Sequence, residues 1–73
     1  MSDFGVALFH TTSAALRAEK TLSKGGLDGK LLPTARQFSS DCGMALRFDW
    51  SHLEQVRGLL GSARVEIAAI HPL

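Results

Sequence analysis

The 73-residue chain carries 45% hydrophobic and 21% charged residues and a formal net charge of +1. That is enough for one compact core, so a single domain over residues 1–73 is expected and disorder is not. Its basic residues are scattered with no block or aromatic-interleaved stripe, and no apolar run nears the ~20 residues that span a bilayer, so neither a nucleic-acid nor a membrane partner is expected.

Residues 4–9 (Phe-Gly-Val-Ala-Leu-Phe) form an apolar run that predicts a buried central strand, β1. Thr11, Thr12 and Ser13 are three candidate caps for a helix, α1, over residues 14–24. Gly25-Gly26 supplies its stop. After the Asp28-Gly29 turn, residues 30–33 read as a short strand, β2, confined to a sheet edge because Pro33 cannot donate to a ladder.

Residues 34–41 are polar and read as a loop. In residues 43–48, Met44, Leu46 and Phe48 alternate with Ala45 and Arg47, which predicts a half-buried strand, β3. Ser51-His52-Leu53-Glu54 has the form of a capping box opening α2. Leu53, Val56, Leu59 and Leu60 give α2 its apolar stripe, and Gly61 is expected to close it. Residues 65–70 read as β4, with Val65, Ile67 and Ala69 on one face.

The order β-α-β-β-α-β predicts an α+β, ferredoxin-like sandwich. Its antiparallel sheet runs 4-1-3-2 with both helices on one face. The open face is expected to carry Gly5, Ala7 and Ala45 with Phe9 and Arg47, and a homodimer through that face is one expectation.

In this topology the end of β1 lies beside the start of β3. His10 and the Thr11-Thr12-Ser13 cap are therefore expected near Cys42, with Arg36 in the loop at the same edge. Cys42 is the only cysteine and cannot form an internal disulfide. With no positively charged signal segment at Met1-Ser2-Asp3, a reduced thiol in a cytosol is expected.

A helix N-terminus and a nearby cation both stabilise a thiolate, the form that attacks sulfur donors. Gly43 removes a side chain beside Cys42, so a second protein could approach; Asp41 opposes by raising the thiol pKa unless Arg36 pairs with it. A lone cysteine can also be a small buried hydrophobe. The polar neighbours Ser39, Ser40 and Asp41 argue against that reading here.

The histidines His10, His52 and His71 lack metal-site spacing with Cys42, so no metal or cofactor is expected. No catalytic triad, carboxylate pair or phosphate loop is visible, so a stand-alone enzyme is not expected.

Three segments carry a resemblance: Ala15-Leu16-Arg17-Ala18-Glu19-Lys20, Leu31-Leu32-Pro33-Thr34-Ala35-Arg36, and residues 39–47, Ser-Ser-Asp-Cys-Gly-Met-Ala-Leu-Arg. In these the chain resembles a family of small bacterial domains described as selenium/sulfur carrier-like. The resemblance implies a cytosolic chalcogen carrier with Cys42 as the carrying residue. It also implies a shell of Pro33, Arg36, Ser40 and Gly43 shaping the loop. The family's second proline before the arginine is replaced here by Ala35.

The implied partners are a cysteine desulfurase or selenium donor protein and an acceptor protein. Two further readings stand beside this one. The first is a non-catalytic interaction or regulatory domain with a structural cysteine; the second is a thiol redox sensor.

Overall fold

The computed structural model describes residues 3–33 and 43–73. Its elements are β1 (Phe4–Leu8), α1 (Thr12–Lys24), β2 (Gly29–Pro33), β3 (Met44–Asp49), a 3₁₀ turn (Trp50–His52), α2 (Leu53–Ser62) and β4 (Ala69–Pro72). The four strands make one antiparallel sheet in the order β2-β3-β1-β4. This is the expected 4-1-3-2 order read from the other edge, an α+β ferredoxin-like sandwich. Pro33 ends β2, which is an edge strand pairing only with β3.

Both helices cover one face. Ala15, Ala18 and Leu22 of α1 and Val56 and Leu60 of α2 share a buried cluster with Ala7, Phe9, Leu46 and Phe48. Burying each large side chain of this set stabilises the fold by about 1.5–3 kcal/mol. Val6, Leu8 and Ala45 form a separate buried cluster with Ala69 on the other side of the sheet.

This corrects the expected face assignment: Ala45 and Arg47 do lie opposite the helices, but Ala7 and Phe9 belong to the helix side. Gly5 shares that side, and a Cβ there would collide with the ring of Trp50, which stacks on Phe48 at 6.0 Å. Residues 4–9 are apolar on both faces, so no alternation distinguishes them, and a slip of one residue exchanges the faces.

Thr11 is the cap of α1, its Oγ1 accepting from the Ala14 amide at 3.1 Å. The helix closes through the amide of Leu27 donating to the Leu22 carbonyl at 2.9 Å, with Gly26 in the left-handed region at φ 80°. In α2 the amide of Val65 donates to the Leu60 carbonyl at 2.9 Å, and the left-handed residue is Arg64 at φ 57°. Gly61 therefore does not close the helix, which runs through Ser62. Arg17 of α1 donates from Nη2 to the Ala63 carbonyl at 3.0 Å, tying the end of α2 to α1.

Two other expectations are corrected. The capping box does not form, because Asp49 captures Ser51: its Oδ1 accepts from the Ser51 amide at 3.0 Å and from the Ser51 hydroxyl at 2.7 Å. The chain enters α2 through the 3₁₀ turn instead, and α2 has no side-chain cap. β4 begins at Ala69, later than its apolar run suggests, because Val65 is used in closing α2 and is buried in the helix-side core. Ile70 and Ala69 then point to opposite faces, so Ala69 does not share a face with Val65 and Ile67.

Candidate functional site

Register brings the predicted edge together. Leu8 of β1 and Leu32 of β2 both face Ala45, and Pro33 faces Met44 at the first residue of β3. The end of β1, the end of β2 and the start of β3 thus share one end of the sheet. His10 follows β1 there and is exposed. Thr11 and Thr12 come next, and the N-terminus of α1 opens with no acidic side chain in its first turn. Thr12 is the first helical residue and is exposed; the capping role belongs to Thr11.

Gly43 stands at the entry to β3, one residue after Cys42 in the chain. It is exposed, its φ is 71°, and among the described residues a Cβ placed on it would meet nothing within 4 Å. Two features therefore mark this position: a backbone that side chains rarely adopt, and open space above it. Of the predicted site residues, His10, Thr12, Pro33 and Gly43 are brought to one edge. Cys42, Arg36 and Ser40 lie outside the described residues.

The other histidines are elsewhere. His52 ends the 3₁₀ turn, and His71 faces Val6 from edge strand β4. Glu19 lines a shallow groove with Ser23, Asp28 and Gly29 at the α1–β2 side, toward the far end of the helix from Thr12. Among the described residues no group of three or more His, Cys, Asp or Glu could hold a metal ion. Among the same residues no helix is long and apolar enough to cross a membrane.

One feature escaped the sequence reading. At the opposite end of the sheet, Phe4, Asp28, Lys30, Arg47, Asp49 and His52 line a cleft of ≈ 360 Å³ together with Gly26, Gly29 and Phe48. Asp49 is held below its ordinary pKa by the Ser51 hydroxyl, then the Ser51 amide, with a smaller contribution from the nearby His52 charge. The signal that could have found the cleft is the pairing of β2 with β3, which sets Lys30 opposite Arg47.

The family described as "Putative Se/S carrier protein-like" matches residues 4–72. The chain belongs to that family. The match takes in all four strands and both helices of this Se/S carrier-like domain, and Cys42 with the segment around it. No curated protein and no solved structure matches the chain.

Proposed function

We propose that this protein carries sulfur or selenium on Cys42 in the cytosol, between a cysteine desulfurase or selenium donor protein and an acceptor protein. The observation that carries the reading is the family match across residues 4–72. The edge at Gly43, one residue after Cys42 in the chain, supports it. Among the described residues nothing lies within 4 Å of a side chain placed at Gly43, which leaves room there for a second protein, and the N-terminus of α1 opens at the same edge with no acidic first-turn residue. Such an end favours anions, a thiolate or persulfide among them.

The proposed step needs no outside oxidant. The Cys42 thiolate attacks the terminal sulfur of the donor's persulfide. The donor's S–S bond breaks, a new S–S bond forms on Cys42, and the electron pair leaves with the donor's thiolate. Delivery is the same exchange in reverse sense: an acceptor nucleophile takes the terminal sulfur, and Cys42 leaves as a thiolate. Selenium follows with an S–Se bond in place of S–S.

Intact mass spectrometry tests this on wild type and Cys42→Ser after incubation with a cysteine desulfurase and cysteine. One sulfur added to the wild type alone, and removed by reductant, is the expected result. No added sulfur, from a thiol that also resists alkylation in the folded protein, would overturn it.

A further inference from the structure

The cleft at the far end of the sheet separates its charges in an unusual way. Lys30 and Arg47 are direct cross-strand partners on the face opposite the helices. Like charges in that relation are destabilising. Asp49, two residues from Arg47 on the same face of β3, and Asp28, one residue before β2, line the same cleft. A cation pair thus sits beside a carboxylate pair, about 7 Å along the strand.

Among the described residues no ion pair joins the two sets. The Oδ1 of Asp49 is bound instead by the Ser51 amide and hydroxyl. Arg47 is drawn toward the cleft, its guanidinium lying 4.8 Å from the centroid of the Phe4 ring. Phe4 is the register partner of Asp49 and lies diagonally from Arg47, whose own partner is Val6. The ring fixes the guanidinium beside the carboxylates without neutralising it. Phe4 itself is 44% exposed, as a surface waiting for a cover would be.

We propose that this cleft binds a small zwitterion of the α-amino acid class, its carboxylate on Lys30 and Arg47 and its ammonium on Asp28 and Asp49. A simple anion would be repelled by the two aspartates, and a simple cation by the two bases. A molecule carrying both charges on one carbon uses all four side chains. The volume of ≈ 360 Å³ is at the lower end of small-molecule sites, which suits a ligand of this size. The site is separate from the edge at Gly43: along β3, Arg47 lies roughly 13 Å and Asp49 roughly 20 Å from that glycine.

The test is a titration of ¹⁵N-labelled Cys42→Ser protein with L-alanine, followed by amide shifts, with acetate and methylammonium as single-charge controls. The Cys42→Ser background keeps the result independent of any carrier chemistry. Saturable shifts at Gly29, Lys30, Arg47 and Asp49, about tenfold weaker for either control, are expected. Lys30→Gln and Asp28→Asn alter exposed side chains, so the amide spectrum away from the cleft stays in place. Each is expected to weaken L-alanine about tenfold, the loss of one charge-assisted hydrogen bond. No saturable shift with L-alanine overturns the proposal. So does acetate binding as tightly as L-alanine, or binding that neither variant weakens.

Discussion

Replacing Gly43 by alanine isolates the backbone requirement at the entry to β3. Gly43 sits at φ 71°, and among the described residues an added Cβ would meet nothing within 4 Å, so the substitution carries no steric cost from them. What remains is the conformational penalty of a side chain in the left-handed region, about 1–2 kcal/mol. The stiffer unfolded chain of the variant offsets part of it. A net loss of about 1 kcal/mol is expected, lowering the melting temperature by about 4–8 °C in a domain of this size. Gly26→Ala is the matched control, since Gly26 has φ 80° and the same empty surroundings but closes α1. Thermal unfolding followed by circular dichroism should show similar losses for both. Desulfurase-dependent sulfur loading should fall only in Gly43→Ala, whose backbone lies beside Cys42. A Gly43→Ala protein as stable as wild type, while Gly26→Ala loses its 1 kcal/mol or so, would refute the reasoning that β3 must be entered through a left-handed residue.

Other expectations concern the scaffold. Gly5→Ala sets a methyl against the ring of Trp50 and should cost about 1–3 kcal/mol. Trp50 is the only tryptophan, so a shift in its emission should accompany the loss in a urea titration. Arg64→Gly removes a side chain from φ 57° and should raise stability by about 0.5–1 kcal/mol, the relieved strain exceeding the added chain entropy. Asp49 has a lowered pKa, so its contribution is complete above the ordinary carboxylate value near ~3.9 and is lost as pH falls through the lowered one. The gap in urea midpoint between wild type and Asp49→Ala should therefore be constant from neutral pH down to about pH 4 and shrink below it; a gap unchanged at pH 2 would contradict the assigned partners.

The topology was legible because its cues are local and agree with one another. An apolar central strand, a proline at a sheet edge and Gly25-Gly26 after a helix each admit few alternatives. The failures have local causes too. Ser51 and Glu54 have capping-box spacing, but Asp49 two residues earlier is a stronger acceptor for the Ser51 amide and hydroxyl. Gly61 looked like the end of α2, whereas the left-handed position fell to Arg64, a residue with no such propensity. Residues 65–70 are apolar for two separate reasons, since Val65 closes a helix and Ile70 fills a sheet. The meeting of His10, Thr12, Pro33 and Gly43 at one edge followed from topology alone. The far cleft depends on register, which sets Lys30 against Arg47 and which hydrophobic pattern does not specify when both faces of β1 are apolar.

The left-handed residues bear on why position 43 is glycine. Gly26 and Arg64 both end helices, held by the same amide-to-carbonyl closure across five residues. Arg64 shows that this chain accepts a side chain at positive φ where the surrounding hydrogen bonds demand the conformation. Gly43 instead opens β3, so its geometry serves the path into that strand, and among the described residues nothing lies within 4 Å of the space its missing side chain leaves. Gly43→Asn separates these two roles. Asparagine tolerates the left-handed region, so the stability loss should be well below that of Gly43→Ala. Its side chain nevertheless fills the open space. Alkylation of Cys42 by a small reagent should then proceed at the wild-type rate, while sulfur transfer from a protein donor slows. If both reactions keep their wild-type rates, the open space at Gly43 is not a docking requirement and glycine is there for its backbone alone.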